Sequence, residues 1–233
     1  MPMSPPNSAR PIVAIDGPAG AGKSTVARRV AAELGFTYID TGAMYRAVAL
    51  AAQQAGIPWN DEAALVPLVR SLRFRFLEPR PGESGLEVND EDVSERIRTP
   101  EISLGASQVA PWPQVRAALV TVQNQLGAGG GVVMEGRDIG TVVFPHAGVK
   151  VFLTASDEER ARRRALQLQA GGREIEFEHV LREVRERDRR DAEREHSPMR
   201  PAADAQVGVT DGMTQDEVVS LLVGLVRKAT AEL

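Results

Sequence analysis

The chain of 233 residues contains no cysteine. Disulfides and cysteine-ligated zinc are therefore excluded, and a reducing compartment, the cytoplasm, is the expected location. No apolar run approaches the ~20 residues of a membrane-spanning helix, and residues 1–10 lack the apolar centre of a signal peptide. With their prolines and serines, those first residues read as a flexible tail. The Asn-Lys-x-Asp run of guanine-nucleotide switches is also missing. Lysine is scarce, since 25 of the 28 basic residues are arginine. A GC-rich genome encodes such a bias, so only arginines at particular spacings bear on function. The formal net charge is −4, which does not draw the surface to nucleic acid or anionic membrane. Segment 156–200 carries 12 arginines against 12 acidic residues, so it is not a polybasic arm. Neither nucleic acid nor membrane is expected as a partner.

What is present begins with Gly17-Pro18-Ala19-Gly20-Ala21-Gly22-Lys23-Ser24-Thr25. The run follows an apolar stretch, Ile12-Val13-Ala14-Ile15, and opens an apolar-periodic segment. Gly, four residues, Gly, Lys, Ser is a phosphate-binding pattern when it joins a strand to a helix. The glycines let successive amides point inward at phosphate oxygens. The helix start aims its positive end at the same anion. Lys23 can reach the outer phosphates of a nucleotide, and the Ser24 hydroxyl can ligate magnesium.

A hydrophobic content of 42% supports a real core. Strands are expected at 12–16, 36–39, 132–134 and 149–153, with a last one at 207–209. Helices are expected at 23–34, capped by Gly35, and at 42–55, stopped by Gly56 and Pro58. Strand and helix alternate, which argues for an α/β fold with a parallel sheet. Between about 60 and 100 the pattern changes. Arg73-Phe74-Arg75-Phe76-Leu77 alternates, a Pro79-Pro81-Gly82-Gly85 turn follows, and a hairpin is centred on Asn89-Asp90. This region reads as a small insertion of antiparallel strands. Thr99-Pro100 starts a further helix, and another spans 114–126. Ser156 and Glu159 form a capping box. Gly171-Gly172 breaks that helix, a charged helix runs over 177–195, and Thr214 with Glu217 caps the final one.

Other candidate residues sit where strands end. Thr41 and Arg46 follow the second strand, at the carboxyl edge of a parallel sheet, where ligands bind. They can meet a second anion there. Glu135 ends another strand, in the place such folds give an acid near magnesium. Arg137 and Asp138 follow it. Arg187, Asp191 and Arg194 share a helix face by spacing and can hold a phosphate or sugar.

These runs together resemble the bacterial cytidylate kinases. The resemblance is carried by the phosphate loop, Asp40-Thr41-Gly42-Ala43-Met44-Tyr45-Arg46, Ala106-Ser107-Gln108-Val109-Ala110 and Gly136-Arg137-Asp138-Ile139-Gly140-Thr141-Val142-Val143-Phe144-Pro145. Glu186-Arg187-Asp188 with Asp191, and Pro201-Ala202-Ala203-Asp204-Ala205, extend it over about residues 11–233. The resemblance implies a phosphate-loop kinase fold, with a five-stranded parallel sheet flanked by helices. It implies one kinase domain over 11–233: a core of 11–59, 101–155 and 186–233, a nucleoside-monophosphate-binding insertion at 60–100, and a lid at 156–185. It further implies transfer of the γ-phosphoryl group of ATP to CMP or dCMP with magnesium, by a monomer.

Carried over by position, the ATP contacts fall on Gly17 through Thr25. The cytosine contacts fall on Ser107, Arg116 and Asp138. The acceptor phosphate falls to Arg46 and Arg137 with Thr41 nearby, and the ribose to Arg187, Asp191 and Arg194. Lys23, Arg46, Arg137 and Arg187 are the expected catalytic residues. Ser24 and, through water, Glu135 are the expected metal contacts, and Arg160 and Arg164 are lid candidates. Two positions depart from the common pattern: Glu135 where an Asp is frequent, and Thr41 where a Ser is. Both keep the functional group. A kinase of UMP or shikimate on the same fold, or a nucleotide-binding switch, is the alternative.

Overall fold

The computed structural model describes residues 10–80, 83–170 and 175–231. The expected glycine break at 171–172, most of the N-terminal tail and part of the Pro79–Gly85 turn lie outside them. In chain order the elements are β1 (Ile12–Asp16), α1 (Lys23–Leu34), β2 (Thr37–Asp40), α2 (Thr41–Gln54), α3 (Glu62–Ser71), β3 (Phe74–Arg80), β4 (Glu83–Val88) and β5 (Glu91–Asp92). Then come α4 (Pro100–Val109), α5 (Pro113–Gly127), β6 (Val132–Gly136), a π-helical turn (Ile139–Val143), β7 (Val149–Thr154), α6 (Asp157–Ala170), α7 (Phe177–Ala192), β8 (Gln206–Val209) and α8 (Gln215–Ala231).

The chain divides into two compact units. One comprises residues up to Thr37 with those from Gly129 onward, and the other comprises Tyr38–Ala128. The five-stranded sheet has the order β2-β6-β1-β7-β8, with β1 parallel to β6 and β7, and β7 parallel to β8. Strands β1 and β6 are buried almost throughout, as strands covered on both faces must be. In register, Asp16 lies opposite Gly136. The ends of two strands far apart in sequence are thus neighbours at the edge where such sheets bind ligands.

The phosphate loop requires its glycines. Gly17 has φ +142°, and a Cβ there would lie 1.9 Å from the Leu153 carbonyl oxygen of β7. No side chain fits. Gly22, at φ +85°, is the N-cap from which α1 starts. In α6 and α7, Ala161, Ala165, Val180, Leu181 and Val184 bury a small apolar core of their own. Ser156 accepts from the Glu159 amide at 3.3 Å, but the expected capping box is only half formed: the Ser156 N–H donates to Asp211, and the Glu159 carboxylate pairs with Arg162 and Arg163.

In the second unit, Met44, Val48, Leu65, Val69, Leu86, Ile102, Val109, Val115 and Leu119 belong to one core cluster. The expected hairpin is there. Asn89 and Asp90 have φ of 50° and 69°, the left-handed pair of a tight hairpin turn. The region at 60–100 is not wholly antiparallel strand, however, because it opens with α3. Asp61 caps that helix, accepting from the Ala64 amide at 3.0 Å. Leu65, Val66 and Val69 face its core. The cap and the three-to-four spacing were the available signals, and Pro67 inside the helix obscured them. β2 and α2 are offset by one residue from expectation, with Asp40 as the helix cap. The charged helix stops at Ala192 rather than 195.

Candidate active site

In the first unit, Lys23 is the centre of the charge arrangement. It is buried, and its ammonium donates to the Pro18 carbonyl at 2.7 Å. Burial, and the nearby positive charge of Arg137, push its pKa down to about 7 against the pull of Glu135 and Asp16. A cation so poorly compensated favours an added anion. Arg187 adds further positive charge. Glu135, near the end of β6, and Asp138, in the turn that follows it, are both buried. Lys23, Glu135, Arg137 and Arg187 are therefore assembled around the phosphate loop.

Arg137 donates from Nε to Asp191 Oδ2 at 2.8 Å. Burial raises the Asp191 carboxyl, but the Arg137 and Arg194 guanidinium groups outweigh it and hold the pKa below the usual range. Arg194 lies just past the end of α7, with its Nε donating to the Asp191 carbonyl at 3.3 Å. Arg187, Asp191 and Arg194 do converge, although Arg194 reaches the group from beyond the helix rather than from its face.

Arg160, a lid candidate, is spent on protein contacts. It is 3% exposed. Its Nε donates to the Ala155 carbonyl at 2.9 Å, one Nη to the Ala19 carbonyl at 3.1 Å, and the fork also meets Asp188 and Asp157. It ties the phosphate loop to α6 and α7, so a closing role for it has to be withdrawn in this conformation. Arg164 is exposed. Burial raises the Asp188 pKa despite Arg160.

In the second unit, Asp40 does two jobs. One oxygen caps α2 at the Ala43 amide, 2.9 Å away, and the other accepts from Arg46 at 2.9 Å. Arg46 keeps a buried Nε that has no hydrogen-bond partner. A buried unsatisfied guanidinium donor is costly, and an oxyanion is the ligand that would satisfy it. Thr41 is buried at the first turn of α2. Arg116, also buried, stacks on the Tyr45 ring at 5.5 Å from its centroid and donates to the Ala110 carbonyl at 3.1 Å. Ser107 is half-buried and donates to the Ser103 carbonyl at 3.2 Å.

The sequence-level candidates thus divide between the units, with Thr41, Arg46, Ser107 and Arg116 in one and all the others in the other. Asp16, Asp40, Tyr45 and Asp188 were missed. Asp40, Tyr45 and Asp188 sat inside recognised runs, while Asp16 had no local signal to distinguish it. Ser24 is exposed on the first turn of α1. Among the described residues no group of three or more His, Cys, Asp and Glu could hold a metal ion. Magnesium needs only one or two protein oxygens when nucleotide phosphates supply the rest, and a hydroxyl with a buried carboxylate near Lys23 suits that.

The cytidylate kinase family model matches residues 13–228. A cytidylate kinase from Syntrophotalea carbinolica is 49% identical over 215 residues, which is 92% of this chain and 91% of that protein. One from Citrifermentans bemidjiense is 49% identical over 222 residues, 95% of this chain and 94% of that protein. Among solved structures, an uncharacterized protein from Eubacterium ventriosum superposes with a TM-score of 0.50 at 11% identity, over 94% of this chain and 99% of that one. That last likeness is one of fold alone. A family match over nearly the whole chain, joined to a phosphate loop and an arginine-carboxylate cluster at one sheet edge, places this chain in the cytidylate kinase family.

Proposed function

We propose that this chain transfers the γ-phosphoryl group of ATP to CMP or dCMP, giving ADP and CDP or dCDP. The observation that carries the reading is the first unit's sheet edge. A phosphate loop with a buried, electrostatically undercompensated Lys23 lies beside the turn that bears Arg137 and Asp138. The family membership supports the same substrates.

Phosphoryl transfer asks little covalent chemistry of a protein. It needs alignment of donor and acceptor, neutralised charge and excluded water. Residues Gly17 to Thr25 hold the ATP phosphates through loop amides, the α1 N-terminus and Lys23. Magnesium, held by Ser24 and through water by Glu135, would offset the charge on the phosphate oxygens. In the first unit Arg137 binds the acceptor phosphate; in the second, Arg46 with its unspent donor, and Thr41 alongside, suit an oxyanion. Arg187, Asp191 and Arg194 hold the ribose. Because the acceptor phosphate is already an oxyanion, no general base is required.

Asp138 in the first unit reads the base, and in the second unit the family resemblance gives cytosine contacts to Ser107 and Arg116. An ionised carboxylate only accepts hydrogen bonds. Asp138 therefore suits the cytosine amino group and opposes the uracil carbonyl. Segments 60–100 and 156–185 act as nucleotide-binding insertion and lid, and a single chain suffices for turnover. Among the described residues no helix is long and apolar enough to cross a membrane.

A coupled ADP-release assay with Mg-ATP across CMP, dCMP, UMP, AMP, GMP and shikimate tests the reading. Turnover of CMP and dCMP well above the rest is expected. Preference for UMP or shikimate would overturn it. Hydrogen exchange with both substrates bound should slow in 60–100 and 156–185, and unchanged protection in both would remove their assigned roles.

A further inference from the structure

The turn bearing Arg137 and Asp138 runs directly into the π-helical turn Ile139–Val143. The first amides of a helical turn have no partner within it. Here two of them are taken by a residue from another strand. Ile139 N–H donates to Asp16 Oδ1 at 2.8 Å, and Gly140 N–H donates to Asp16 Oδ2 at 2.7 Å. Asp16 is the last residue of β1 and adjoins the first glycine of the phosphate loop. One bond would leave a pivot, whereas two bonds to the two oxygens of a planar carboxylate also fix rotation. Asp16 is 4% exposed, so water does not compete for these amides.

The far side of the turn is held as well. A Cβ on Gly140 would come within 3.3 Å of Lys150 Cδ and 3.4 Å of Asp16 Oδ2. Backbone, lysine stem and carboxylate are in close contact there. Lys150 is buried, and its ammonium donates to the Pro145 carbonyl and to both oxygens of Asp204, at 2.9 and 2.8 Å. Asp204 lies in the Pro201–Ala205 run, to which the functional reading assigns no task. The segment that follows Asp138 is thus pinned at its start by Asp16 and at its end by Lys150, whose charge Asp204 neutralises.

We propose that Asp16 is a positioning residue. It fixes Arg137 and Asp138 relative to the phosphate loop, and the Lys150–Asp204 pair is the second support of the same segment. This rests on the reading that Arg137 and Asp138 contact the acceptor nucleotide. On Arg137 and Asp138 it acts through the Ile139 and Gly140 amides, and its charge also pulls on Lys23.

The test uses the full chain with Asp16→Asn and, separately, Asp204→Asn. An asparagine keeps one acceptor oxygen and no charge, so one amide keeps a neutral bond while the other loses its acceptor and meets an NH2 donor. In a folded Asp16→Asn protein, NMR should show the Ile139 and Gly140 amides exchanging roughly 10–100-fold faster, the range of one such bond. KM for CMP should rise by a comparable factor, and by more than KM for ATP, which the loss of the Asp16 charge near Lys23 also touches. Asp204→Asn should shift KM for CMP in the same direction by a smaller factor. Unchanged exchange at both amides, or an ATP KM that rises as far as that for CMP, would overturn the proposal. Should Asp16→Asn fail to fold, an unaltered KM for CMP in Asp204→Asn overturns it instead. If the wild-type chain phosphorylates no CMP, the functional reading fails, while amide exchange still decides what Asp16 does.

Discussion

Arg137 and Asp191 are 54 residues apart and form an ion pair, Nε to Oδ2 at 2.8 Å, with about a fifth of each side chain exposed. The pair joins the turn after β6 to α7. It also makes mutual partners of the residues proposed for the acceptor phosphate and for the ribose. Asp191→Asn should lower kcat/KM for CMP by roughly 10–100-fold, the value of one charge-assisted bond. It should also destabilise the fold by about 1–3 kcal/mol, because Arg137 loses its compensating charge. The Asp191 carboxyl is held below its ordinary 3.8. Its contribution is therefore fully present above about pH 4 and is lost as pH falls through the lowered value. Kinetics with thermal melts at pH 7 and pH 3 check this, and a stability loss in the variant that is the same at both would contradict the pairing.

Lys23→Met should cut turnover by roughly 10²–10³-fold or more, since a donor to the developing phosphate charge is removed. The fold should survive and gain stability. Lys23 titrates near 7 when folded against 10.5 for the free side chain, so between those values the unfolded state binds the extra proton and burial of the lysine costs stability. A melting temperature a few degrees higher at pH 7.5 is expected. A variant with near wild-type turnover would refute the phosphate-loop assignment.

ATP binding should take up a proton. At pH 8 a lysine titrating near 7 is mostly neutral, and phosphate oxygens beside it raise its pKa again. The predicted uptake is on the order of one proton per ATP at pH 8, shrinking toward pH 6 where Lys23 is already charged. Calorimetry in buffers of different ionisation enthalpy measures it directly. Equal binding heats in all buffers at pH 8 would show that Lys23 does not change state.

Asp138→Asn tests the base reading. The amide offers both a donor and an acceptor where the carboxylate offered acceptors only. Efficiency with CMP should fall by about one to two decades, with a smaller loss or a gain for UMP. Equal losses for the two acceptors would make Asp138 a structural residue.

Much of the fold was legible because its signals are local. The glycines of the phosphate loop, the Thr99 and Ser156 caps and the Asn89-Asp90 turn each depend on a few neighbouring residues. α3 was missed because Pro67 breaks the pattern that Asp61 and the Leu65-Val66-Val69 spacing begin. The site was legible as residue types and positions. Its internal pairing was not, as Arg160 shows: the resemblance offers it as a lid candidate, and its fork meets Ala19, Asp157 and Asp188.

By itself the sequence determined where the phosphate loop turns, which segments are strand or helix, and which family motifs are present. Those follow from φ preferences, capping and periodicity, which act within about ten residues. The tertiary structure alone decided who meets whom. Strand order β2-β6-β1-β7-β8 inserts β6 beside β1 across more than a hundred residues of intervening chain. Only that placement brings the Asp16 carboxylate to the Ile139 and Gly140 amides and the Lys23 ammonium beside Glu135 and Arg137. Such contacts arise from packing in a low-dielectric interior, where each buried polar group must find a partner. That partner can come from any distance along the chain.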